Sequence, residues 1–178
     1  MCGLLQKEGR LDNLILLKSC IAGQGSPHST LIRQHPRCSQ ARTTGYAHQA
    51  WASQGAAGGD FDLVYAVNTL HIAHDLAFGL REARQTLAPG GWLVAGECMR
   101  PFPGQPLYVE LVFQLLDGFT GVATDPDIRP NPGFLMARQW QRALGHAGFE
   151  RVQVTPDQER IREIYPRFYV GAVCAAKR

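Results

Sequence analysis

Among the 178 residues, His71 and Glu97 are the pair whose types and placement suit acid–base chemistry. An imidazole changes protonation near neutral pH, and a carboxylate beside one ring nitrogen fixes the tautomer and leaves the other nitrogen free to act as a general base. His74, one helical turn beyond His71, invites a metal reading. A zinc site needs further ligands at matching spacing, and none follows, so no metal is assigned. The five cysteines, Cys2, Cys20, Cys38, Cys98 and Cys174, are scattered and form no CxxC pair, which points to reduced thiols rather than a disulfide framework. Cys98 and Cys174 fall in apolar strand contexts and read as small core residues.

The elements that must position His71 and Glu97 lie in residues 61–100. Residues 61–70 form an apolar run of strand length, of the kind found in a parallel sheet covered on both faces. Asp75 is a candidate N-cap, and Leu76, Phe78, Leu80, Ala83 and Leu87 then recur near helical spacing. Ala88-Pro89-Gly90-Gly91 ends that helix, because proline cannot continue it and glycine tolerates a left-handed turn. A second strand starts at Trp92. A strand, crossover helix and strand of this length is right-handed with parallel strands that usually lie side by side, about 4.8 Å apart. His71 follows the first strand and Glu97 ends the second, so both side chains emerge at the same carboxyl edge, where open α/β sheets bind ligands.

The segments FDLVYAVNTLH and LREARQTLAPGGWLVAGE resemble the second half of class I S-adenosylmethionine-dependent methyltransferases, in particular the methyltransferase domains embedded in polyketide synthases. The resemblance runs from about residue 60 to the C-terminus. It implies an α/β fold with a Rossmann-like class I methyltransferase sheet, truncated on its N-terminal side, and an antiparallel final strand pair. It implies that His71 and Glu97 match the His-Glu catalytic dyad of those domains. Asn68, Thr69 and Leu70 match the strand end that touches the methionine part of the cofactor, S-adenosyl-L-methionine. Residues 107–119 match an insertion that walls the substrate, with Tyr108 and Glu110 directed at the pocket. The implied substrate is a polyketide-like or other small acyl group, carried on an acyl carrier protein.

Outside this unit the expectations are plainer. In residues 1–59 the segment 11–17 reads as a short helix or strand, and Gly23 and Gly25 are the only echo of a glycine-rich cofactor turn. Residues 26–59 lack a sustained period and read as loop or disorder, so the domain organisation is a poorly defined segment 1–59 and a methyltransferase-like domain 60–178. Residues 107–119 read as one helix buried on more than one side, residues 120–133 as a proline-rich loop, and residues 134–149 as a helix stopped by Gly148, with His146 near its C-terminus. Residues 152–155 and 168–175 read as strands joined by a charged connection without a convincing helix.

Composition, 45% hydrophobic and 19% charged, fits a soluble globular chain. The net charge of +3 is too small to argue for nucleic acid, and no apolar run approaches the roughly 20 residues that cross a bilayer, so a cytoplasmic location without membrane or nucleic-acid partners is expected. Two functions remain open. One is methyl transfer to a carbon or oxygen with His71 as base. The other is a catalytically inactive, truncated fold that serves as a structural or partner-binding module and associates through an exposed sheet edge.

Overall fold

The computed structural model describes residues 13–17, 40–44, 51 and 58–178. Its centre is one six-stranded sheet in the order β2-β1-β3-β4-β6-β5. The strands are β1 (Asn13–Leu17), β2 (Gln40–Thr44), β3 (Phe61–Val67), β4 (Leu87–Cys98), β5 (Glu150–Thr155) and β6 (Val170–Ala176). Strands β2, β1, β3 and β4 are parallel, whereas β6 runs antiparallel to both β4 and β5. The order reverses between β1 and β3. Such a switch point opens a crevice at the carboxyl ends of the strands, and β3 ends there.

The central unit forms as its periodicity predicts. Helix α1 (Leu76–Thr86) begins where the Asp75 side chain accepts the Phe78 N–H at 2.8 Å, and it buries Leu76, Leu80 and Ala83. Helix α4 (Ala137–His146) buries Trp140, Ala143 and Leu144 in the same core, together with Val64, Ala66, Leu93, Ala95 and Val173 of the sheet. Trp51 is fully buried in this core, and its backbone N–H donates to the Glu82 carboxylate of α1 at 2.7 Å. Among the described residues no helix is long and apolar enough to cross a membrane.

Five expectations are corrected. The strand β2 lies inside the stretch read as loop, because Gln40–Thr44 is polar and carries no apolar alternation to betray it. Strand β3 is covered on one face only in its second half: Val64 and Ala66 are buried, but Tyr65 and Val67 are 39% and 50% exposed. Residues 107–119 are two short helices, α2 (Tyr108–Phe113) and α3 (Asp117–Thr120), with Leu111, Val112 and Leu115 exposed. The connection between the last two strands does contain a helix, α5 (Gln158–Ile164), whose start is capped by Asp157 accepting the Glu159 and Arg160 N–H groups. Strand β4 includes the Ala-Pro-Gly-Gly stretch, which joins the sheet through a register shift opposite Phe61 and Leu63. Gly23 and Gly25 lie outside the described residues.

Two glycines on this frame should respond in opposite ways. A Cβ on Gly91 would meet the carbonyl oxygens of Ala88 at 2.9 Å and Phe61 at 3.0 Å, both backbone atoms of the sheet. Gly91→Ala is expected to cost about 1–3 kcal/mol by overpacking. Gly145 is an exposed position of α4 with nothing near its Cβ direction, so Gly145→Ala should gain about 0.5–1 kcal/mol. Urea unfolding of the two variants checks both signs.

Candidate active site

Strand β3 gives way to a tight turn at the carboxyl edge. Asn68 adopts a left-handed backbone (φ 47°) and donates its N–H to Gly96 of β4 at 2.7 Å, while the Thr69 hydroxyl donates back to the Val67 carbonyl at 2.7 Å. A single 3-10 turn, Leu70–Ile72, follows and carries His71. The register that pairs Val67 with Gly96 sets Glu97 beside this turn.

Glu97 is 1% exposed, and its carboxylate is surrounded by donors. Oε1 accepts the N–H groups of Thr69 at 3.0 Å and Leu70 at 2.8 Å, and Oε2 lies 2.8 Å from His71 Nδ1. With a carboxylate that can only accept and a neutral imidazole, the proton between Oε2 and the ring belongs to Nδ1 and the lone pair to Nε2. Nε2, the other ring nitrogen, is left out of the contact with the carboxylate. The ring is then oriented for proton uptake at Nε2.

An aromatic layer covers the imidazole. The Phe134 ring centroid lies 4.4 Å from that of His71, and Phe119 meets it edge-on at 5.9 Å. Phe113 packs on both phenylalanines, and His71 is only 3% exposed. What fixes this layer is a buried ion pair. Glu110, fully buried, accepts from Arg100 Nη2 at 2.6 Å, from Arg100 Nε, and from the N–H groups of Leu107 and Phe134. Gly133 lies against the pair with φ 94°, and a Cβ there would collide with Glu110 Oε1 and Arg100 Nη2. A cleft of about 450 Å³ opens beside this layer, lined in part by Arg100, Gln114, Phe119 and Asn131.

Known proteins match the chain in sequence and fold. Residues 29–95 match the family described as a methyltransferase domain. The polyketide synthase ThaG of Burkholderia thailandensis is 36% identical over 107 residues, which is 58% of this chain and 2% of that protein. The solved CurJ carbon methyltransferase superposes with a TM-score of 0.70 at 25% identity, over 94% of this chain and 48% of that one. A trans-methyltransferase, CalH, solved in complex with SAH, gives a TM-score of 0.62 at 28% identity, over 81% of this chain and 37% of its own. The chain has the class I methyltransferase fold and resembles the methyltransferase domains of polyketide synthases. It spans about half the length of the CurJ methyltransferase chain and a small part of the ThaG synthase.

On this methyltransferase fold the residues singled out from sequence separate into groups. His71 and Glu97 are brought together, with Thr69 and Leu70 bound to the same carboxylate. Thr69 and Leu70 therefore have their N–H groups occupied, and of the three strand-end residues Asn68 keeps a free polar atom, its buried Oδ1, which has no partner among the described residues. Glu110 faces inward but is held by Arg100, and Tyr108 is 83% exposed. Cys98 neighbours the site as a protonated thiol, because burial and then the charges of Glu97 and Glu110 push its pKa up. Sequence reading passed over Arg100, Phe119, Arg129 and Phe134. Phe119 closes the stretch read as one buried helix, Phe134 opens the stretch read as the next helix, and Arg129 lies in the proline-rich loop between them, so none stands out as a site residue.

The ion pair under the aromatic layer should behave as a coupled unit. Arg100→Met or Glu110→Leu alone strands a buried charge and is expected to cost about 3–5 kcal/mol, while the double variant should cost well below the sum. A denaturant double-mutant cycle with additive costs would contradict the pairing.

Proposed function

We propose that this chain catalyses S-adenosylmethionine-dependent methyl transfer to a carbon or oxygen of a polyketide-like or other small acyl substrate, with His71 as general base. The observation that carries the reading is the buried 2.8 Å contact between His71 Nδ1 and Glu97 at the carboxyl edge of the sheet. The similarity to polyketide-synthase relatives favours an acyl substrate presented by an acyl carrier protein.

The residues of the edge fit the cofactor. Asn68 stands at the end of β3, beside the switch point, with a buried acceptor oxygen that has no partner among the described residues, suited to a hydroxyl or ammonium donor. Asn68 would hold the cofactor there, alongside the backbone of Thr69 and Leu70. When bound, S-adenosyl-L-methionine supplies an electrophilic methyl group on a sulfonium, which departs as a neutral thioether.

His71 Nε2 takes the proton that the acceptor carbon or oxygen loses as it bonds to the methyl group. Glu97 keeps Nδ1–H in place and stabilises the imidazolium that results. Phe119 and Phe134 exclude water from the ring, which strengthens the carboxylate–imidazole interaction. Either acceptor type can be served, because both deliver the same proton to the same nitrogen.

Calorimetric titration with S-adenosylmethionine and S-adenosylhomocysteine should show saturable binding. His71→Ala should lower the methyl-transfer rate on an acyl-carrier thioester by about 10² to 10⁴ while cofactor affinity stays within about twofold. An unchanged rate removes His71 as the base. A folded chain that binds neither compound returns the inactive-module reading.

A further inference from the structure

Arg129 is 1% exposed, yet no described carboxylate pairs with it. Its guanidinium is spent on main-chain carbonyls. Nε and Nη2 donate to Ala123 at 3.0 and 2.7 Å, Nη1 donates to Ala73 at 2.8 Å and His71 at 3.3 Å, and Nη2 also donates to His74 at 2.7 Å. Those five bonds match the five N–H donors of a guanidinium. Burial pulls its pKa down to about 10, with Asp75 opposing, so the cation persists at neutral pH.

The loop that delivers Arg129 is built to do so. Asp125 and Arg129 exchange backbone hydrogen bonds at 2.8 and 2.9 Å, and the Asp125 carboxylate accepts the N–H groups of Asp127 and Ile128. This closes a small ring of chain around Pro126 and turns Arg129 inward. The Ala123 N–H also donates to the His74 carbonyl at 2.7 Å, so loop and turn are sewn together at two levels.

The turn that carries His71 is therefore gripped from both sides. Glu97 takes the N–H groups of Thr69 and Leu70 at its start, and Arg129 takes the carbonyls of His71, Ala73 and His74 at its end. An anion on the N–H end and a cation on the carbonyl end is the arrangement that best stabilises a helical turn. We propose that Arg129 is a positioning residue: by holding the main chain of His71 to Ala123, it sets the direction of Nε2 and locks the loop 121–133 over the imidazole. Its consequence for catalysis rests on the reading of His71 as the base; its effect on the turn does not.

The test uses the full chain with Arg129→Lys and Arg129→Met, and reads the His71 Nδ1–H signal by ¹⁵N-edited NMR, assigned by its loss in His71→Gln. Lysine keeps the charge but has three donors on a point-like head, which cannot span these carbonyls. In Arg129→Lys, the expected result is a folded chain whose Nδ1–H exchanges with water at least about tenfold faster. In an active preparation, kcat should fall on the order of tenfold to a hundredfold, with KM and cofactor affinity held. Folded variants with wild-type Nδ1–H exchange overturn the proposal, and so does a lowered unfolding midpoint with an unchanged His71 signal, which would make Arg129 only a brace. Global unfolding of both variants also overturns it, since Arg129 would then serve the whole fold and not the turn. A chain without methyl transfer leaves the NMR result decisive and counts only against the reading of His71 as base.

Discussion

The Glu97 carboxylate is the constraint from which the site follows. A carboxylate buried to this extent is strongly disfavoured unless donors surround it, and three N–H groups from consecutive residues do so: two from the backbone and one from an imidazole. That demand dictates how the chain leaves β3. Asn68 must turn left-handed, Thr69 must fold its hydroxyl back, and His71 must present Nδ1, because all three donors have to converge on one pair of oxygens. Pairing of β3 with β4 brings the carboxylate to that turn, so a shift of register in the sheet would dismantle the dyad.

A second buried charge pair governs what lies over the dyad. Arg100 leaves the end of β4 and reaches Glu110 of α2, and the same carboxylate holds the Phe134 N–H. The ring that touches His71 is thus fixed through its own backbone. Such a pair contributes little net stability, since desolvation offsets its attraction, but it specifies one arrangement of the insertion against looser ones. Helix α2 turns its polar Glu110 inward and leaves Leu111 and Val112 outward, an inversion of the usual amphipathic order that follows from the ion pair.

The legibility of the chain divides along the same physical line. Residues 61–100 could be read because burial imposes period on them: β3, the Asp75 cap, α1 and β4 all carry apolar spacing, and the carboxyl edge follows from the topology of parallel strands. The dyad could be read because both members sit at strand ends. The resemblance directs Glu110 at the pocket, but its ion pair with Arg100 could not be read, because nothing local to either residue marks the other as its partner. Arg129 was hidden for a related reason. A cation in a proline-rich loop reads as solvated surface, and nothing local reveals that five carbonyl contacts, three of them to residues more than fifty positions away, enclose it. Strand β2 and helix α5 escaped because their sequences are polar, so tertiary pairing and an Asp157 cap decide them without hydrophobic period.

The central claim is that Glu97 builds the turn that carries His71. Residue-resolved amide hydrogen exchange tests it most directly. The account predicts that the Thr69 and Leu70 N–H groups, although they lie outside the regular sheet ladder, are protected as strongly as the paired amides of β4, and that this protection is lost in Glu97→Ala while β4 itself stays protected. Exchange of both amides in the wild-type chain at the rate of an open loop would contradict it.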